Sequence, residues 1–191
     1  PNTGAAMPQS PPSPSPHPDQ SRLAGLPPAG VQAMQAAAQA IRRGDAGEVL
    51  RLTGEVLGLA PGHPEALRLA GIAHAAAGRH DLARDALQRS HDRRPDDALV
   101  LIDLGNAQQR CGEREAAHAS WRQAAALAPG HPMPPWNLGR SLQLEGRTDE
   151  AIDMLSRAAE LAPDFIPARI LLGDALVHAG RFDAADAHYR E

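Results

Sequence analysis

The chain has 191 residues with a formal net charge of −4, 42% hydrophobic and 3% aromatic residues, and one cysteine, Cys111. All 19 basic residues are arginine, which excludes a phosphate-loop lysine and a Schiff-base lysine. A net acidic chain with few aromatics lacks the footprint of a nucleic-acid binder, a lone thiol allows no intrachain disulfide and fits the reducing cytoplasm, and no apolar run approaches the ~20 residues of a membrane helix.

The first segment is set apart by composition. Residues 1–29 hold nine of the 18 prolines, with Ser, Gln and Gly and almost no branched aliphatics. Such a stretch cannot bury enough apolar surface to offset its ordering entropy, so 1–29 is expected to be a disordered leader. Its PPSPSPHP run reads either as a flexible tail, the favoured reading, or as a ligand for a proline-recognising domain. The start, PNTGAAMPQS, has no charged end or apolar stretch of a secretory signal. Met7 reads as the native first residue, with 1–6 a remnant of expression.

From residue 30 the markers become regular. Pro61, Pro95, Pro129 and Pro163 fall 34 residues apart, as do Gly44, Gly78, Gly112, Gly146 and Gly180. A second glycine series (Gly71, Gly105, Gly139, Gly173) and an alanine series (Ala83, Ala117, Ala151, Ala185) keep the same step. Four marker series with one period define a repeat array. Units fall at 30–63, 64–97, 98–131 and 132–165, with a partial fifth at 166–191. The first is the most divergent, with Ala36-Ala37 for Leu-Gly, Val49 for the small alanine and Thr53 for the large apolar residue.

Within a unit the apolar spacing is helical, as in Ala117, Trp121, Ala124, Ala125 and Leu127. Gly112 lies where a helix end favours a left-handed residue. Asp81, Glu115, Asp149 and Asp183 sit where the next helix begins and its dipole is positive. The periodic proline then ends the second helix. Each unit is thus a helix of roughly 13 residues, a glycine turn and a second, antiparallel helix. The small Gly and Ala residues let the two backbones approach closely.

Catalytic patterns are lacking. No Ser-His-Asp, CxxC or phosphate-loop pattern appears, no metal or other cofactor is expected, and the chain reads as non-enzymatic. The nine histidines show no zinc spacing. His63 and His131 lie in two copies of one hexapeptide, LAPGHP, two repeats apart, and read as turn residues. Cys111 reads as an ordinary thiol in a helix–helix turn.

The pattern resembles the tetratricopeptide repeat family, carried by Leu104-Gly105 with Ala117, Trp121, Ala124 and Pro129, and by Leu138-Gly139, Ala151, Leu155, Ala158 and Pro163. The resemblance covers 30–191 and implies an all-α solenoid with a right-handed superhelix, whose first helices line a concave face that binds a protein or peptide segment. Positions 2, 5, 6, 9, 12 and 13 of each unit share that face. On it, Asp103, Asn106, Arg110, Met133, Trp136, Asn137, Arg140 and Asp174 are the candidate peptide-binding residues. Asparagine both donates and accepts, which suits a peptide backbone. Arg110 and Arg140 suit a carboxylate, and Met133 and Trp136 an apolar anchor. A solvated polar surface, with Trp136 in an inter-repeat contact, is the open alternative.

Two specialised forms of the family fit poorly. The clamp for a C-terminal double carboxylate needs lysines where Ile102 and Pro167 stand. The asparagine ladder of sugar transferases needs Asn at position 6 throughout, where the chain has Gln35, Leu69, Asp103, Asn137 and Leu171. After Tyr189 the chain stops before the next small residue and proline, leaving the last unit without a polar cap. Self-association through that unit is therefore a further expectation. So is an alternative role as the N-terminal arm of a larger bacterial enzyme, because such arginine-rich arrays are similar to the leaders of sulfotransferases, 2-oxoglutarate and iron oxygenases, and glycosyltransferases.

Overall fold

A computed structural model describes residues 20–190, and among them there is no strand. A 3₁₀ turn, Gln20–Leu23, precedes ten helices: α1 (Pro28–Arg42), α2 (Ala46–Leu59), α3 (Pro64–Ala76), α4 (His80–Arg93), α5 (Ala98–Arg110), α6 (Arg114–Leu127), α7 (Met133–Leu144), α8 (Thr148–Leu161), α9 (Ile166–His178) and α10 (Phe182–Arg190). They form five hairpins.

Local chemistry sets the ends. The first amides of a helix have no intrahelical acceptor, and side chains supply one. The Asp45 carboxylate accepts from the Glu48 N–H at 3.0 Å, and Asp97 accepts from Leu99 at 3.0 Å and Val100 at 3.4 Å. In the duplicated hexapeptide, His63 Nδ1 accepts from the Ala66 N–H at 3.3 Å and His131 Nδ1 from Met133 at 3.2 Å. Burial pushes His63 below the ordinary imidazole range, which keeps that lone pair available. Gly112 adopts φ +83° with nothing near its missing Cβ, so backbone conformation rather than space requires it.

Close approach requires the second glycine series, Gly71, Gly105, Gly139 and Gly173. A Cβ on Gly71 would lie 2.6 Å from Leu87 Cγ, one on Gly139 2.7 Å from Leu155 Cγ and 3.2 Å from the Ala151 carbonyl, and one on Gly173 2.6 Å from the Tyr189 ring. A Cβ on Gly105 would collide with the Trp121 indole, so four hairpins pair a bare backbone with a large side chain. In the first hairpin Ala37 takes the glycine slot and Thr53 the large one, and both are buried. A smaller partner leaves room for a methyl group, and the Thr53 hydroxyl is satisfied by donating to the Val49 carbonyl at 2.8 Å. The divergence of this hairpin is a matched exchange.

Consecutive helices pack in chain order, and the next-nearest packing runs along the odd-numbered helices, α1 on α3, α3 on α5, α5 on α7 and α7 on α9. The odd helices therefore form the inner face of the solenoid. The core is segmented along it, from Met34, Val49 and Val56 at one end to Trp121, Leu155 and Leu172 at the other.

The last residues of the proline-rich segment, 20–29, pack on the array. Leu23 is buried in the first core cluster, Arg22 forms ion pairs with Glu65 and Asp97, and α1 begins at Pro28. Composition averaged over 1–29 masks this anchor. The remainder of the leader, 1–19, lies outside the described residues.

Candidate functional site

The inner face begins with a chain of alternating charge. Arg22 Nη1 lies 2.7 Å from Glu65 Oε2 and 2.8 Å from Asp97 Oδ2, while Arg68 lies 2.9 Å from Glu65 and 2.8 Å from Asp103. Glu65 and Asp97 are buried, so each depends on its guanidinium partner. Burial alone would raise the Asp97 carboxyl, but Arg22 and the Leu99 and Val100 amides hold it below the usual carboxylate range. Asp103 shows the reverse. Burial lifts its carboxyl above the ordinary value against the pull of Arg68, helped by the nearby charges of Glu65 and Asp97.

Beside Asp103, a cleft of about 450 Å³ opens between α3 and α5. Ile72, Ala75 and Ala76 form its apolar wall, and Asp103, Asn106 and Arg110 its polar side. Three of the residues expected from sequence thus meet in one cleft. Arg110 is exposed and has no ion-pair partner among the described residues. A free guanidinium can receive a carboxylate in a bidentate fork.

Asn137 is buried beside the cleft. It is 2% exposed, and its Nδ2 donates to Asn106 Oδ1 at 2.9 Å. It therefore holds the Asn106 amide from behind, while Asn106 lines the cleft. Trp136 meets Phe165 edge-on at 5.4 Å between centroids, and Arg140 Cζ stacks 4.9 Å from the Trp136 ring centroid. Met133 is half-buried against the Leu101, Ile102 and Ala124 cluster. Asp174 stands apart and accepts from the Tyr189 hydroxyl at 2.6 Å. The eight expected residues therefore divide into the Asp103 cleft with Asn137 behind it, the Trp136–Arg140 stack, Met133 on the core and the separate Asp174 carboxylate.

Sequence reading missed Arg22, Glu65 and Arg68 as a charge network. Glu65 and Arg68 do sit on the inner stripe three residues apart, a readable ion-pair spacing. Nothing marks Arg22 within its proline-rich surroundings. It also missed His118, whose Nε2 meets Ser141 Oγ at 2.8 Å and lies 3.4 Å from Glu145. Complete burial pushes this imidazole below its ordinary range.

Chemistry elsewhere is quiet. Burial, then the neighbouring Asp81 carboxylate, raise the Cys111 thiol, which donates to Asp81 at 3.6 Å. A thiol so held is a poor nucleophile. Among the described residues no group of three or more His, Cys, Asp or Glu is placed to hold a metal ion, and no helix is long and apolar enough to cross a membrane.

Stacked helical hairpins with a lined inner face define an α-solenoid, a fold typical of protein–protein interaction. One profile described as "Tetratricopeptide repeat" matches residues 40–100 and 142–190, and a second of the same description matches 102–165. The chain belongs to the tetratricopeptide repeat family. Among solved structures, one of MamA is 24% identical with a TM-score of 0.72, covering 81% of this chain and 90% of that one. MamA from residue 41 onward, of Desulfovibrio magneticus RS-1, is 21% identical with a TM-score of 0.75, covering 87% and 94%. Likeness at these identities establishes the shared fold. No curated protein matches the chain in sequence.

Proposed function

We propose that the chain is a non-catalytic scaffold that holds an extended peptide segment of a protein partner along its inner face. The observation that carries this reading is the cleft between α3 and α5, where Asp103, Asn106 and Arg110 converge over an apolar wall. Asn106, pinned by Asn137, offers a donor to the peptide backbone. Arg110 selects an acidic group on the guest, and Asp103 disfavours one beside it. Further along, Trp136 with Arg140 supplies a second apolar contact, and Met133 and Asp174 border the path. Cys111, unpaired and protonated, suits a reducing cytoplasm.

To test this reading, peptides are selected from a random library on the wild-type chain and titrated against the variant Asn106→Ala with Arg110→Ala. Affinity is expected to fall about tenfold or more, since a few central residues carry most of the binding energy. Unchanged affinity in a variant that keeps its helical circular dichroism would remove the cleft from the site.

The last hairpin supports a second proposal, self-association. Phe182 is 65% and Ile166 62% exposed there, an apolar surface that a second copy can cover. Light scattering over a concentration series reads it, and a constant monomer mass would refute it.

A further inference from the structure

Two repeat-equivalent crevices lie on the side of the second helices. One, of about 390 Å³, is bounded by α6, the start of α7 and α8, and the other, also about 390 Å³, follows one repeat later. Their walls correspond residue by residue: Ala125, Pro129 and Leu138 in the first stand where Ala159, Pro163 and Leu172 stand in the second. Their rims differ in charge. The first is bordered by Arg122 and Arg157 and contains no carboxylate, whereas the second carries Glu160 and Asp164 beside Arg169.

Arg122 and Arg157 are exposed, and neither has a hydrogen-bond or ion-pair partner among the described residues. Glu150, which lies within the field of Arg122, is already held by Arg147 at 2.6 Å. Pro134 and Pro135 occupy the first turn of α7, so two N–H groups that would otherwise face an anion are missing. Trp121 lines the crevice, but its Nε1 is turned against Gly105. The two guanidiniums are left as the donors of this crevice, above a floor of Leu138 and Met154.

We infer that this first crevice is a second docking surface, for an acidic peptide segment of a protein partner in which one large apolar side chain is flanked by carboxylates. The side chain fills the apolar floor, and each carboxylate meets one guanidinium in a bidentate fork. The equivalent crevice one repeat on repels the same ligand through Glu160 and Asp164. The surface is distinct from the Asp103 cleft, so its success or failure leaves the inner-face reading untouched.

The test uses the 191-residue chain and a fluorescein-labelled DDFDD peptide, followed by fluorescence anisotropy. Saturable binding is expected, with DDGDD and KKFKK markedly weaker. Arg122→Glu with Arg157→Glu is expected to lower affinity about tenfold or more through loss and reversal of charge-assisted bonds. Arg122→Gln with Arg157→Gln gives the same direction without charge repulsion. Arg89→Glu with Arg114→Glu changes net charge equally on exposed positions outside the crevice and is expected to leave affinity unchanged. Absence of saturable binding, equal binding of DDGDD, or equal losses in the crevice and control variants would overturn the inference.

Discussion

The two halves of the inner face are held by different forces. From the Gln20–Leu23 turn to α5, side chains are linked by charge, Arg22 to Glu65, Glu65 to Arg68 and Arg68 to Asp103, each within 3 Å. From α5 to α9 the links are neutral or aromatic: the Asn106–Asn137 amide pair, Trp136 against Phe165, and the His118–Ser141 bond behind them. One backbone plan thus accommodates two kinds of lining. Charges that are buried and paired lock the first half in one geometry, whereas the second is joined by neutral and aromatic contacts, with Arg140 stacked on Trp136 at its surface.

The largest effect is expected where the charged half loses its shared anion. Glu65→Ala leaves Arg22 and Arg68 both short of a partner and is expected to cost about 3 kcal/mol in urea unfolding. A cost below about 1 kcal/mol would show that the network contributes little more than a surface pair. In the neutral half, Gly139→Leu drives a side chain into Leu155 and the Ala151 carbonyl and is expected to cost about 2 kcal/mol, the middle of the overpacking range. Its cost should be insensitive to salt, which separates steric from electrostatic loss.

Arg22→Ala is expected to cost about 1.5 kcal/mol, because it strips charge-assisted bonds from Glu65 and Asp97. Local hydrogen exchange should rise in α1 and α3 and stay unchanged in α7. Asn137→Ala is expected to cost about 1 kcal/mol as one buried hydrogen bond is lost. Its peptide affinity should nonetheless fall with that of Asn106→Ala, since it frees the Asn106 side chain.

Acidification acts with opposite signs on the buried histidines and on Asp103. Burial holds His118 below its ordinary pKa, as it does His63 and His74, so the folded protein resists a proton that the unfolded chain accepts near pH 6.5. Stability is therefore lost as pH falls below about 6.5. Asp103, raised above its unfolded value, contributes in the other direction, most at low pH and less as pH rises through its folded pKa. The melting temperature is expected to drop between pH 7.5 and 5.5, and His118→Gln should flatten part of that slope. An unchanged slope in His118→Gln would assign the pH response elsewhere.

The repeat architecture was legible because one period ran through prolines, glycines and alanines together, and each marker has a distinct physical reason. Asp103, Asn106 and Arg110 were also legible as neighbours, since positions 6, 9 and 13 share a helical stripe. The burial of Asn137 was not. It occupies the same position 6 as Asp103, yet the helix stacked beside it determines that one faces a cleft and the other faces an amide. Arg22 was hidden for a different reason: a single anchoring pair, Arg22 and Leu23, was diluted by the surrounding prolines. Thr53 and Ala37 looked like decay of the pattern one at a time and make sense only as a pair.

An array of hairpins ordinarily communicates only with its neighbours, and each end peels away piece by piece. Arg22 breaks that rule by clasping Asp97, 75 positions along the chain, on the far side of two intervening hairpins. The first two hairpins and the start of the third are accordingly latched together. Pulled apart by force or by a degradative machine, α1 to α5 should yield as one block once the latch is lifted, and the later hairpins one by one.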